Sequence, residues 1–453
     1  MQPWEQVVEK LNILERDVPE QIFLQKQLDF LDGFVFKIEE EKLSHNLTAL
    51  LPYISPKENW INFENNELDV EFKKPYCERA YRLLSIFEEE IKQYVKEEEN
   101  WEVLLTLISL RGLRYKPFEF FCVQIVDNTL ISISTEEKEN FQNHVLNYQS
   151  SLFSRDDRLT GQGRRYAYEL PPEKFRQDQT DALLNPSWKL KNFFIPEVLN
   201  WIVCNKNRFT IRDIWHKVIP SVLRILNDLN PLIKQKGLML VKSILDVAGL
   251  EFLMHTGLAE ILREDLMLFY TFLPPRYKAE TCSSLINFSF NVLIQFAKEM
   301  PDLLDKLYLD GVMYIFQFAS DSIPMIRLAF SECMYLMKTL NHRFLRYLST
   351  TLDQLCLRIE NPLLCNTPEF LFFLLEALQS FLHFYYYRIS SHHAQFLISL
   401  VSSYRNCTHR NLKELDSCKE KIMEILKFIE DNLTESQRLD YQAVLPLMER
   451  PTA

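Results

Sequence analysis

The chain has 453 residues, a formal net charge of −11 and only 8 glycines. This acidity excludes a general nucleic-acid binder and disfavours docking on anionic membranes, because both need a basic surface. The scarcity of glycine argues against phosphate-cradling loops and dinucleotide-binding folds, whose backbones need glycine to approach the ligand.

The cysteines and the apolar stretches indicate where the chain is found. Nine scattered cysteines without a CxxC pair are typical of free thiols in a reducing compartment. The N-terminus has no basic segment followed by an apolar core, so no signal peptide is expected. Polar residues interrupt the most apolar stretch, residues 370–387, which predicts a buried helix and no membrane span. We expect a cytoplasmic and nuclear protein.

Residues 1–149 form a predicted N-terminal helical region. Apolar residues recur with helical spacing up to about residue 54, a loop rich in asparagine follows at 55–72, and a long helix starts near Pro75. The acidic runs at residues 88–90 and 97–99 are typical of a solvated helix face. An acidic strip that binds a partner is the alternative interpretation.

Residues 150–187 form a predicted basic loop or linker without helical periodicity. The loop contains Arg164 and Arg165 among several other basic residues in an otherwise acidic chain. Long loops of this kind are usually functional or disordered. Two interpretations stay open, namely a solvated linker and a docking element for an acidic protein surface. Trp188 and Lys189 follow the loop outside any clear period, and they are candidate contacts with a partner.

Residues 188–449 are predicted to contain helical repeats. The region is organised around residues 211–249, which read as two amphipathic helices joined by a tight turn. Pro220 in the first helix, Asp228 at the turn and Lys234 early in the second helix match a HEAT-type repeat signature. Neither helix can bury its apolar face alone, and stacking such pairs solves this in helical solenoids. The helices predicted here span residues 194–206, 211–228, 231–248, 251–270, 276–299, 310–319, 324–341, 343–359, 368–388, 391–404, 411–432 and 435–447.

The same signature recurs once. Met313, Asp321 and Arg327 repeat the steps of eight and six residues, although Met313 stands where the first helix had a proline. Asp228 and Asp321 are 321 − 228 = 93 residues apart, about two repeats of roughly 40–47 residues. Chance is the competing explanation, because an aspartate six residues before a basic residue is common. With the helical periodicity, the pattern predicts an all-α fold, a HEAT-like α-solenoid of stacked helical pairs.

A search for chemistry finds no catalytic, cofactor-binding or metal-binding motif in the sequence. The nearest metal set is Cys407 and His409 with Cys418, and it lacks the paired spacing of structural zinc sites. Phosphate-loop, zinc-protease, nucleophile-elbow and kinase signatures are absent. We therefore predict a protein that is not an enzyme, needs no cofactor and binds other proteins.

The region around the helix pair also resembles a known family. The residues that carry the resemblance are Asn185–Lys189, Trp215, Val218–Pro220, Leu226–Asp228 and Pro231–Gly237. Over about 65 residues they resemble the TELO-two-interacting protein two family, the small helical-repeat subunit of the TTT cochaperone complex.

This resemblance implies a scaffold that joins the two larger helical-repeat subunits of the complex. With the ninety-kilodalton heat-shock chaperone, the complex supports maturation and stability of phosphatidylinositol three-kinase-related kinases, including the TOR and DNA-damage kinases. The chaperone and kinases are expected to be indirect partners. In this family the C-terminal solenoid holds the neighbouring subunit.

Two alternatives remain. A different HEAT-type adaptor, such as a nuclear transport receptor or a phosphatase scaffold, would also be all-helical. A transport receptor should bind a Ran-type GTPase or FG repeats, and it is usually longer. An enzyme is the third possibility, and turnover abolished by changing Cys407, His409 or Cys418 would support it.

Overall fold

A computed structural model of the protein describes residues 83–84, 104–108, 127–128, 131, 134–152, 159, 162, 164–165, 195–228, 230–410 and 412–448. Among these residues all regular secondary structure is helical, apart from one isolated antiparallel β-bridge between Leu159 and Arg165. The predicted all-α class is confirmed. The predicted loop at 55–72 and the two acidic runs lie outside the described residues.

The contacts divide the chain into two compact units, Met1–Asp265 and Leu266–Ala453. The predicted division into 1–149, 150–187 and 188–449 stays a prediction. The first unit contains α1 (Thr135–Leu152), α2 (Ile195–Cys204), α3 (Thr210–Leu226), α4 (Pro231–Ala248), α5 (Leu250–His255) and most of α6 (Leu258–Met267).

The second unit continues with a longer series of helices. They are α7 (Ala279–Phe296), α8 (Leu303–Lys306), α9 (Met313–Phe318), α10 (Ile323–Leu340), α11 (Leu345–Glu360), α12 (Pro368–Phe384), α13 (Ile389–Arg410), α14 (Asp416–Asp431) and α15 (Glu435–Val444). A π-helix, Leu307–Val312, joins α8 directly to α9. α15 begins with a capping box, in which the side chains of Thr434 and Gln437 accept each other's backbone N–H.

Helices of the second unit pack in two layers, in which the long helices from α10 onward contact the helix two places along the chain. α7, α10, α12 and α14 form one layer, and α11, α13 and α15 form the other. α11 and α13 run parallel, because Asp353 bonds Gln395 near the middle of α11 while Glu360 bonds Asn406 nearer the ends of both helices. These bonds join residues 42 and 46 positions apart. That separation equals the length of one helical repeat.

The first unit repeats this spacing. Ser243 of α4 donates a hydrogen bond to Asn200 of α2, which is 43 residues earlier. Asn227, directly after α3, donates to Asp265 of α6, which is 38 residues later. Trp215 of α3 is only 2% exposed and packs edge-on against Phe252 of α5, with ring centroids 5.2 Å apart. The apolar face predicted for α3 is therefore its buried face.

The predicted helix over residues 251–270 is broken in the structure. α5 ends at His255, and Gly257 has a φ of +72°, in the left-handed region that favours glycine. A Cβ atom on Gly257 would lie 2.9 Å from the Cβ of Arg165, so another segment of the chain occupies that space. The break could not be predicted from local periodicity, because the segment that requires it is distant in sequence.

None of the helices in the described part of the chain is both long and apolar enough to cross a membrane. Residues 370–387, the most apolar stretch of the sequence, lie mostly in α12. Its apolar residues are buried against the neighbouring helices, and Leu374, Leu375 and Leu378 are fully buried.

Candidate functional site

The repeat signature forms a compact polar turn between α3 and α4. Pro220 lies inside α3, and Pro231 is the first residue of α4, where a missing N–H costs nothing. The carboxylate of Asp228 accepts the backbone N–H of Asn230 at 2.7 Å, which closes the turn. A Cβ on Gly237 would lie 2.7 Å from the Cα of Leu226, so α4 crosses α3 at backbone contact.

Lys234 is the buried charge of this turn, with only 3% of its surface exposed. Its Nζ donates a 2.8 Å hydrogen bond to the carbonyl of Leu226, at the end of α3. Burial lowers the pKa of Lys234 from 10.5 to about 8, although Asp265 and Asp228 act in the opposite direction. Asn227 donates to the Asp265 carboxylate at 2.8 Å.

These groups form one buried polar cluster that fixes α3, α4 and α6 to each other. We call Asn227, Asp228, Lys234 and Asp265 the clasp. Sequence reasoning found Asp228 and Lys234 but missed Asp265. The omission has a physical reason, since Asp265 belongs to the next helix and only folding brings it to the turn. The clasp holds α3, α4 and α6 in a fixed arrangement. The ammonium of its Lys234 donates a hydrogen bond to another group of the fold.

The second copy of the signature occupies the corresponding turn, between α9 and α10. Asp321 lies in the turn and Arg327 lies on α10, and both are exposed. Arg327 stacks over Phe370 and Phe373 of α12, at 5.8 and 5.0 Å from the ring centroids. The turn position therefore recurs, whereas the buried ion cluster does not.

Seven residues of the predicted basic loop, 150–152, 159, 162 and 164–165, are described, and the first three belong to the end of α1. The backbone N–H of Arg165 donates to Thr256 at 3.1 Å, and its guanidinium forms ion pairs with Glu260 and, at 3.8 Å, Glu264. This residue is therefore held against α6 of its own chain. Arg164 is exposed. Trp188 and Lys189 lie outside the described residues, so their role as partner contacts stays a prediction.

Cys407 of the predicted metal set lies beside a cysteine outside that set. The sulfur atoms of Cys365 and Cys407 are 3.8 Å apart and both side chains are buried, while His409 is exposed on the surface. Burial raises the pKa of Cys407 to about 12, and it also raises the pKa of Cys418. Such thiols are protonated and unreactive. Among the described residues no three metal-ligating side chains are grouped so that they could hold an ion.

A second buried polar contact was not predicted from the sequence. The Tyr270 hydroxyl, in a short 3-10 turn, donates a 2.9 Å hydrogen bond to Glu332 of α10, and both side chains are buried. Burial raises the pKa of Glu332 well above 4.5 and that of Tyr270 above 10. The ring of Tyr270 lies against Gly311 of the π-helix, where a Cβ would be 2.9 Å away. Gly311 is one of only 8 glycines in the chain, and it is the sequence feature that could have indicated this close contact.

Comparison with known proteins gives one family. Residues 120–366, more than half of the chain, match the Tti2 family. The matched region includes the clasp and the second copy of the signature. No solved structure matches the chain.

Proposed function

The chain belongs to the Tti2 family, whose members are components of the TTT cochaperone complex, and from that premise we propose that it is a non-enzymatic scaffold subunit of this complex. The observation that carries the proposal is the family match over residues 120–366. In this function the helices present surfaces to other proteins, and the two larger helical-repeat subunits are the direct partners.

The packing supports an architecture suited to such a scaffold. We propose that the helices form a HEAT-like solenoid. Same-layer contacts recur at separations of 38 to 47 residues, and the turn signature recurs at Asp228 and Asp321. Stacked repeats of this length provide extended binding surfaces. The clasp and the Tyr270–Glu332 contact then hold neighbouring helices together inside the fold, which leaves the outer helix faces for partners.

We also propose a more specific function, which is taken from the family. The complex acts with the ninety-kilodalton heat-shock chaperone, and its clients are phosphatidylinositol three-kinase-related kinases, including those of TOR signalling and the DNA-damage response. We also propose that the protein acts in the cytoplasm and the nucleus. The free cysteines of the described residues are compatible with a reducing compartment.

The test is a tagged purification of the full chain from its native cells, with quantitative mass spectrometry. Two large helical-repeat proteins in near-equal amounts to the tagged chain are expected, with smaller amounts of chaperone. Depleting the chain should lower the steady-state level of the client kinases while their messenger RNA is unchanged. Recovery of nuclear-pore proteins or a small GTPase instead would favour a transport adaptor, and loss of stable partners would contradict the scaffold.

A further inference from the structure

Two buried cysteine thiols of the second unit lie in direct contact. The sulfur atoms of Cys365 and Cys407 are 3.8 Å apart, and the two side chains are 1% and 0% exposed. Cys365 lies in a 3-10 turn, Pro362–Asn366, between α11 and α12, and Cys407 lies near the end of α13. The two residues are 42 positions apart in the sequence, so the contact joins two separate elements of the fold.

A disulfide between these two thiols requires only a short movement of the sulfur atoms. A disulfide bond is about 2 Å long, so the sulfur atoms of Cys365 and Cys407 have to approach each other by about 1.8 Å from their distance of 3.8 Å. Rotation of a cysteine side chain between staggered conformations moves its sulfur by distances of this size. The pair is therefore placed to be oxidised to a disulfide once an oxidant reaches it.

Burial keeps these thiols protonated while the fold is closed. It raises the pKa of Cys407 to about 12, and the thiolate is the form that reacts with an oxidant. Cys418 of α14 is close enough to interact electrostatically with Cys365 and Cys407, and burial raises its pKa as well. Oxidation of the pair therefore requires a local opening that brings solvent to one of the sulfur atoms.

The 3-10 turn is the part of this contact that can open without unfolding a helix. Cys365 is its buried residue, while Leu363 is 65% exposed and Asn366 is also exposed. The side chain of Asn361 caps the start of the turn, where its Oδ1 accepts the backbone N–H of Leu363 at 3.0 Å. Short surface segments with few buried apolar side chains open at a low free energy. Opening of the turn would expose the Cys365 thiol, which could then ionise.

We propose that Cys365 and Cys407 form a redox-sensitive lock, in which a hydroperoxide oxidises the pair to a disulfide that fixes the 3-10 turn to α13. In the first step the Cys365 thiolate attacks one oxygen of hydrogen peroxide, which breaks the O–O bond, forms a sulfenic acid on Cys365 and releases hydroxide. In the second step the Cys407 thiolate attacks the Cys365 sulfur, which forms the S–S bond and releases a second hydroxide. The two thiol protons neutralise both hydroxides, so two thiols and one hydrogen peroxide give one disulfide and two water molecules.

The lock lies within the second unit, and it does not depend on the proposed scaffold function. A disulfide between residues 42 positions apart removes conformational freedom from the unfolded chain, so the oxidised protein should unfold at a higher temperature. Cellular thiols would return the pair to the reduced form. The lock therefore forms only while the hydroperoxide concentration is raised.

The first experiment maps the thiols of the tagged full chain after treatment with hydrogen peroxide. The peroxide dose is the one that oxidises Cys204, which is exposed. The chain is then alkylated in denaturant, digested without reductant and analysed by mass spectrometry. A peptide pair joined through Cys365 and Cys407 is expected, while Cys356, buried within α11, is recovered as a thiol. A disulfide of either residue with Cys418, a disulfide that forms only in urea, or no disulfide at this dose overturns the lock.

The second experiment tests whether opening of the turn controls the oxidation. Asn361→Ala removes the side chain that caps the turn, so the disulfide should form about five-fold faster than in the wild type. Asn432→Ala is the matched control, because Asn432 follows α14 and its side chain bonds the carbonyl of Phe428 at the other end of that helix from Cys418. The control should form the disulfide at the wild-type rate. Equal rates in all three chains overturn the turn as the controlling element, and the lock with it.

Melting temperatures measure the consequence of the disulfide. The oxidised wild type should melt about 5 °C or more above the reduced protein, and the difference should disappear when a thiol reductant is added. Cys365→Ala removes one partner in the surface turn, so peroxide should not raise its melting temperature. A rise that persists in Cys365→Ala, or a linked wild type without a rise, overturns the lock. If Cys365→Ala does not fold, the peptide map of the wild type decides.

Discussion

The Lys234 ammonium donates a 2.8 Å hydrogen bond to the carbonyl of Leu226, which ties the start of α4 to the end of α3. The lysine is 3% exposed, so this hydrogen bond is shielded from water. Asp228 and Asp265 stand close enough to influence its protonation. The clasp therefore connects a sequence signature to the packing of three helices.

The first prediction concerns the pH dependence of Lys234. Its folded-state pKa of about 8 lies below the ordinary lysine pKa of 10.5. Between these two pH values the unfolded chain binds more protons, so the stability contributed by this group rises with pH. The free energy of unfolding of the wild type should therefore rise, relative to Lys234→Met, by about 3 kcal/mol between pH 8 and 10.5.

Urea unfolding at several pH values measures this difference. Lys242→Met is the matched control, because Lys242 is an exposed residue of the same helix that pairs with Asp246. Its curve should run parallel to the wild type up to pH 10. A parallel curve for Lys234→Met would mean that the clasp lysine has an ordinary pKa.

The second prediction compares two aromatic residues of the first unit. Trp215 is 2% exposed and packs on Phe252, so Trp215→Ala should lower the free energy of unfolding by about 3–5 kcal/mol through cavity formation. Phe209 lies directly before the same helix but is 76% exposed. Phe209→Ala should change stability by no more than about 0.5 kcal/mol. Chemical denaturation monitored by circular dichroism provides both values, and similar losses would contradict the assigned burial.

The third prediction concerns Glu332. Its folded-state pKa is raised by burial, so the folded protein retains a proton that the unfolded chain releases above about pH 4.5. The stability from this group is therefore present at low pH and is lost as the pH rises. Glu332→Gln keeps an acceptor for Tyr270 without an ionisable group, and it should gain stability relative to wild type from pH 4.5 to 7.5.

Melting curves at the two pH values test the third prediction, with Glu360→Gln on the exposed end of α11 as control. The control should show no comparable gain. Tyr270→Phe provides a second check, because it removes the donor to Glu332 and should cost about 1–3 kcal/mol. A Glu332→Gln protein that loses stability at both pH values would indicate a carboxylate that is ionised in the fold.

The fourth prediction concerns the attachment of the basic loop. Arg165 pairs with Glu260 and Glu264, so Arg165→Glu places like charges together and should release this segment from α6. Hydrogen exchange should become faster at the Arg165 amide, which donates to Thr256. The overall stability should change by only about 1 kcal/mol, since the ion pairs are partly exposed. Arg164→Glu is the neighbouring control, and equal exchange in both variants would show that the Arg165 ion pairs are not what holds the segment.

Helical periodicity predicted most helices of the second half of the chain, and α4 has the bounds that the sequence predicted. The errors occur where a distant segment determines the local backbone. Arg165 occupies the space beside Gly257, which lies between α5 and α6, and Tyr270 lies against Gly311 in the π-helix. The buried contacts of Asp265 and Glu332 were not predicted for the same reason, because their hydrogen-bond partners are 38 and 62 residues away in the sequence.

The sequence by itself determined the helical class, the polar turn at Asp228 and Lys234, and the family resemblance. Periodicity, capping residues and short spacings are local features, so they can be recognised in the amino-acid sequence alone. The tertiary structure decided which helices share a layer. It brought Asp353 of α11 beside Gln395 of α13, although the two residues are 42 positions apart in the sequence. Exposure is a property of packing, because an apolar residue in an amphipathic pattern is buried only when another helix covers it.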